Sequence, residues 1–178
     1  SDYDLFVTKR GKKDTKCLSY DITSQTSRGG SDRNKLLNQL RRYNLLNNKH
    51  IPESYKTNTR EIRLQLLAGI IDGDGHVQNN CCEVITKHKK LNDDILYLCR
   101  SLGFAAYSSK KIGTIKSTGF SGEYHRISIS GDLYDIPTKI KRKIFEQRLQ
   151  KKNVLYTGFK IQELGVDDFY GFELDGNH

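Results

Sequence analysis

An α+β fold, built from antiparallel hairpins and amphipathic helices, is predicted by three features of the sequence. From residue 60 to about 150, apolar periods of helical and strand type follow one another in the order α-β-β-α-β-β-α. Residues 3–46 repeat the β-β-α back half of that series. The hydrophobic content of 35%, with ten tyrosines and seven phenylalanines among 178 residues, is enough for the core of one domain plus a fragment.

The elements follow in order. "YDLFVTK" at 3–9 and "KCLSYDIT" at 16–23 alternate as strands around the basic turn "RGKKDT". "TSRGGSD" is a loop in which Ser31 or Asp32 is placed to cap the helix "RNKLLNQLRRYNLL". "NNKHIPESY" is a polar turn holding Pro52, and Thr59 is placed to cap a helix over about 60–72. "HVQNN" and "CCEVITKH" read as two short strands, and "LNDDILYLCRSLG" as a helix stopped at Gly103. "FAAYSSKKIG" and "YHRISIS" form another hairpin. "YDIPTKIKRKIFEQRL" has helical spacing, with Pro137 tolerated in a first turn. "YTGFKIQELGVDDFYGFEL" alternates again as two strands.

Thirty Lys and Arg against 21 Asp and Glu leave a formal charge of +9. The cations cluster as "KRGKK" at 9–13, "KHKK" at 87–90, "KK" at 110–111 and "KIKRK" at 139–143, which points to a polyanionic partner, nucleic acid first. Cys17, Cys81, Cys82 and Cys99 form no CxxC pair and follow no secretory signal, so reduced thiols and an intracellular, soluble protein are expected. No apolar run has the length of a membrane span.

The stretch "LLAGIIDGDG", residues 66–75, carries the chemistry. Leu64, Leu67, Ala68 and Ile71 fall on one helical face, and the small Ala68 and Gly69 would let a second helix approach closely. The helix delivers Asp72 and Asp74 to its C-terminal end, where the macrodipole disfavours a carboxylate by roughly 0.3–1 kcal/mol. Gly73 and Gly75 allow a sharp turn that exposes carbonyl oxygens. A cation above the acids accounts for the placement, and oxygen ligands in so small a set suit Mg²⁺. Solvated aspartates at a plain helix end are the competing reading. A calcium loop is excluded, because its fifth and sixth positions hold His76 and Val77 in place of an oxygen ligand and a glycine.

The same ten residues resemble the signature of the LAGLIDADG homing endonucleases, departing from the nonapeptide at Ile70 and Gly73. "NKHIP" at 48–52 resembles the lysine-bearing block before the second motif of intein-encoded members, and "FKIQELGVDDFYGFELDGNH" at 159–178 resembles strands that resume a protein-splicing domain. The resemblance implies four segments: 1–46 as the back half of a first unit, 47–59 as a linker, 60–152 as the second unit, and 153–178 as splicing-domain strands. It implies saddle-shaped sheets on DNA and two units packed through their motif helices, with the first motif upstream of Ser1. The implied activity is Mg²⁺-dependent hydrolysis of one phosphodiester per strand, with Mn²⁺ as a substitute ion. The partners would be duplex DNA with a long asymmetric target and a host protein around the intein. The protein would be monomeric when both units are present, and nuclear when it cuts DNA.

By the same resemblance Asp74 and the carbonyl of Gly73 bind metal, and Lys49 stands beside the cluster. The partner lysine is Lys143, or Lys141 as the alternative. DNA contacts are expected from three hairpins: Lys9, Arg10, Lys12, Lys13 and Lys16; Lys87, Lys89 and Lys90; Lys110, Lys111 and Lys116. Tyr20, Tyr107 and Tyr124 interleave with them. Residues 1–178 are not expected to splice: Ser1 opens no splicing block and the chain ends Asn177-His178, the reverse of the splicing order. A cleavage-deficient DNA- or RNA-binding module, either a degenerate endonuclease or a maturase, is the alternative function.

Overall fold

A computed structural model describes residues 5–10, 18–24, 34–147, 153, 156, 158–168 and 170–171. Strands β1 (Leu5–Arg10) and β2 (Ser19–Ser24) pair antiparallel from Leu5↔Ser24 to Arg10↔Ser19, as the alternation predicts. Helix α1 (Lys35–Arg42) is capped by Asn34, whose side chain accepts from Leu37 N. The expected caps Ser31 and Asp32 lie outside the described residues. Asn34 also donates to Ile22 O, tying the helix to β2. Tyr43 then meets Tyr55 of the short helix α2 (Glu53–Lys56) edge to face, with ring centroids 5.7 Å apart.

Helix α3 (Arg60–Asp74) begins at Thr59, whose hydroxyl accepts from Ile62 N, so the predicted cap is in place. Strands β3 (His76–Gln78) and β4 (Cys81–Thr86) are joined by Asn79 and Asn80, both at positive φ, the chemistry of a two-residue hairpin turn. Helix α4 (Lys89–Ser101) stops where Gly103 adopts φ +87°, which returns Phe104 N to Cys99 O. Strands β5 (Ala105–Ile115) and β6 (Phe120–Ser130) are longer than the alternation alone indicates. The antiparallel sheet runs β3-β4-β6-β5.

Helices α3 and α4 cover one face of this sheet. Leu67 and Ile71 of α3 and Ile95, Leu98 and Cys99 of α4 pack on Cys82, Val84, Ala106, Ile127 and Ile129. The large apolar side chains in this layer each contribute about 1.5–3 kcal/mol of transfer energy. Burial also pushes the Cys82 and Cys99 thiols up to about 12. Unfolded thiols lose their protons near 9. Between those values the unfolded chain binds fewer protons, so stability present below pH 9 is lost as pH rises, by about 3 kcal/mol per pH unit for two thiols. Urea midpoints that fall steeply above pH 9, and less steeply in the variant Cys99→Ala, are the expected result.

Two expectations are corrected. Residues 134–149 were expected to be helical; instead 3-10 turns at Leu133–Asp135 and Lys141–Lys143 flank an extended segment. Pro137 holds Ile136 extended (ψ 116°), and Asp72 captures the N–H groups of Lys139 and Ile140 that a helix would use. The segment after β6 therefore forms a strapped loop, and the β-β-α repeat fails at this helix over the described residues. In 153–171 no described residue is in a strand, and Tyr156, Phe159, Ile161 and Leu164 are exposed. Alternation makes a strand only where a neighbouring edge supplies hydrogen bonds.

Candidate functional site

The two aspartates at the end of α3 have different environments. Two residues along a helix are about 200° apart, so the side chains leave on opposite flanks. Asp72 turns toward the strapped loop, its carboxylate accepting from Lys139 N at 2.8 Å and Ile140 N at 3.3 Å. Asp74 is exposed and makes no hydrogen bond or ion pair among the described residues.

Lys143 closes the same helix end. Its side chain is 3% exposed, and Nζ donates to Ile71 O and Asp72 O, both at 2.8 Å. An ammonium there offsets the negative end of the helix and satisfies Asp72 O, which has no partner within it. Gly75 N also donates to Ile71 O. The carbonyl of Gly73 remains without a partner among the described residues, beside the Asp74 carboxylate. Gly75 is required by close approach: a Cβ there would stand 2.7 Å from Ile71 O and 2.8 Å from Ile71 Cα. Gly75→Ala is expected to lower stability by about 1–3 kcal/mol, read from urea denaturation.

Of the residues singled out from sequence, Lys143, Gly73 and Asp74 are thus brought to one helix end. Lys141 is exposed on the same loop. Lys49 is exposed and makes no hydrogen bond or ion pair among the described residues. Its segment is held elsewhere: Ile51 is buried and its N–H donates to Asp94 at 2.8 Å, while Lys56 Nζ reaches the other Asp94 oxygen at 2.8 Å. Hydrogen bonds that Lys56 donates to the Asp94 and Glu53 carboxylates push its ammonium up to about 12. Among the described residues no three His, Cys, Asp or Glu side chains converge on a metal-sized site.

The face of α3 away from the sheet is uncovered. Exposed Ile62, Gly69 and Gly73 lie along it beside half-buried Leu66, which also packs on the core, and a Cβ added at either glycine would meet nothing within 4 Å. Gly69 is therefore on an approachable face. Ala68 is not, because it is buried in the chain's own core.

The sheet face opposite the helices is also open. Pairing places His76 and Gln78 of β3, Glu83 and Ile85 of β4, Tyr124, Arg126 and Ser128 of β6, and Tyr107, Ser109 and Lys111 of β5 on it. Lys111 is the expected contact that faces out here. Lys110 alternates to the other face and pairs with Glu123 at 3.0 Å. Lys116 is in the turn between β5 and β6. Lys87, Lys89 and Lys90 are not in a hairpin: Lys87 is in the bend after β4, and the other two open α4, where Lys89 pairs with Asp93. In the first hairpin Lys9 is exposed and Arg10 pairs with Asp21, whereas Lys12, Lys13 and Lys16 lie outside the described residues. Arg126, His76, Gln78, Ser109 and Ser128 were missed from sequence, although strict alternation from Tyr107 and Lys111 would have found the strand partners.

The homing endonuclease family profile matches residues 50–142, which contain α3, the four-stranded sheet and the strapped loop up to Arg142. The chain belongs to the homing endonuclease family. The replicative DNA helicase DnaB of Mycobacterium intracellulare is 35% identical over 74 residues, 41% of this chain. That region spans 13% of the helicase, so this homing endonuclease chain matches a small part of that relative. No helix among its described residues is long and apolar enough to cross a membrane.

Proposed function

We propose that the chain carries the second unit, preceded by the back half of the first, of a LAGLIDADG-type, intein-encoded endonuclease that makes a site-specific double-strand break in DNA by Mg²⁺-dependent hydrolysis. The single observation that carries the proposal is the division of labour at the end of α3. Asp72 is committed to the 139–140 backbone and Lys143 to the helix carbonyls, which leaves the Asp74 carboxylate and the Gly73 carbonyl open to a cation. Both are hard oxygen ligands of the kind Mg²⁺ takes while keeping several waters. One carboxylate is half of such a site, so a second acid from a sister helix is required. The stripe Ile62, Gly69, Gly73, open among the described residues, fits that helix, because its glycines allow close approach.

Asp74 and Gly73 would hold the ion. When bound, Mg²⁺ neutralises phosphate charge and activates water. Lys49, exposed at the start of the segment anchored by Asp94, would offset charge on the scissile phosphate from the other flank. Lys143 would act through α3, keeping the helix end in register. The open sheet face, with Lys111 and Arg126 among hydrogen-bonding side chains, would track duplex DNA. The exposed apolar residues of β1 and β2, Phe6, Val7 and Ile22, fit a further sheet from the first unit. The host protein is proposed to be cellular machinery of the type the helicase match represents.

A plasmid library of random inserts, incubated with the chain co-expressed with a first unit, tests the proposal. Linear products with Mg²⁺ and none with a chelator are expected. Salt-sensitive binding without nicking in either condition would favour the cleavage-deficient module. The specific observation on that side is that α3 presents one open carboxylate at its end, with no second acid converging on it among the described residues.

A further inference from the structure

The β5–β6 ribbon carries a feature that its hydrogen-bond register explains. Gly113 and Gly122 sit directly opposite one another, so the open face has no side chain at that point on either strand. The neighbouring rings close over the gap: a Cβ at Gly113 would come 2.9 Å from Tyr124 Cε2, and one at Gly122 would come 3.1 Å from the Phe120 ring. The result is an apolar cavity of about 220 Å³ walled by Ile85, Ile115, Phe120 and Tyr124. Lys111 stands at its rim and Arg126 is the cross-strand partner of Ile85. Ile85 and Phe120 are 40% and 50% exposed, unusual for large apolar side chains within a sheet face.

We propose that this cavity receives the C5-methyl edge of one thymine in the major groove, making it a specificity-determining subsite. The inference rests on the DNA-binding reading above and adds to it which base one part of the sheet selects. Strands of eleven residues span roughly 37 Å, about one turn of duplex, and a two-stranded ribbon enters the major groove. Thymine alone presents a methyl group there. Cations at the rim suit the flanking phosphates, while the glycine floor and aromatic walls suit the methyl. The one carboxylate close by on this face, Glu83, pairs with Arg126.

The test begins with the whole chain and a randomised duplex pool, from which the tightest-binding sequence is selected. That duplex is then remade with deoxyuridine in place of each thymine in turn, which removes the methyl and keeps the pairing. At one position the substitution is expected to weaken binding about fourfold, the worth of one buried methyl. The same substitution is expected to have no effect on Phe120→Ala, or on Gly113→Ala, in which the new Cβ displaces the Tyr124 ring into the cavity. A duplex indifferent to deoxyuridine at every position overturns the subsite and leaves DNA binding standing. A pool from which nothing is selected overturns both. A concentration-dependent dimer that Phe120→Ala dissolves would reassign the cavity to a second copy of the chain and also overturn the subsite.

Discussion

Asp94→Ala is expected to lower stability by about 3–5 kcal/mol, at the lower end of that range because Glu53 remains 2.8 Å from Lys56. The Asp94 carboxylate is 8% exposed and accepts from two donors on different segments, Ile51 N and Lys56 Nζ. Removing it strands a backbone N–H and an ammonium that are both largely buried, whereas removing both charged partners leaves less behind. Lys56→Met/Asp94→Ala is therefore expected to be less destabilised than the sum of the single variants, which urea denaturation of all four proteins measures. Additive effects would show that the pair is not coupled. The consequence reaches function, because Ile51 follows the Lys49-His50 pair. Loss of Asp94 releases the segment that carries the exposed lysine, and hydrogen exchange at residues 48–52 is expected to rise before the sheet is affected.

Where local chemistry decided the outcome, the fold was legible. Thr59 at the start of α3 and Gly103 at the end of α4 act over one turn of chain, whereas Asn79 and Asn80, read as the end of a strand, form the hairpin turn. The loop at 136–144 was not legible, because its conformation is set by Asp72, 67 residues away from Lys139 in sequence. Its helical spacing, with Ile136, Ile140 and Ile144, describes a face, yet Ile136 is buried and Ile144 exposed. The burial of Lys143 against the α3 carbonyls was not legible either: spacing left Lys141 as its alternative, and only the adjacency of Ile144 and Phe145 hinted at an inward turn. By composition alone a solvated helix cap remained a competing reading of the two aspartates. Their separation into a loop anchor and an open carboxylate required the 139–140 backbone to be in place.

Asp74→Asn is expected to abolish cleavage and, unlike most changes at a helix end, to raise stability. Loss of an outer partner of a metal ligand already costs roughly 10–100-fold, so loss of the ligand charge is expected to exceed about 100-fold in cleavage rate. Stability moves the other way, because an unpaired carboxylate at the negative end of a helix is unfavourable by about 0.3–1 kcal/mol. DNA binding in the absence of divalent ions is expected to persist or tighten slightly, since a negative charge facing phosphates is removed. Asp72→Ala provides the contrast. It releases the N–H groups of Lys139 and Ile140 and is expected to destabilise by about 1–3 kcal/mol, with cleavage lost only as the loop loosens. Thermal melts, gel-shift titrations without Mg²⁺ and cleavage rates with it distinguish the two. If Asp74→Asn melts lower than the parent while cutting at the parent's rate, the open acid is structural, and the division of labour at the end of α3 does not serve catalysis.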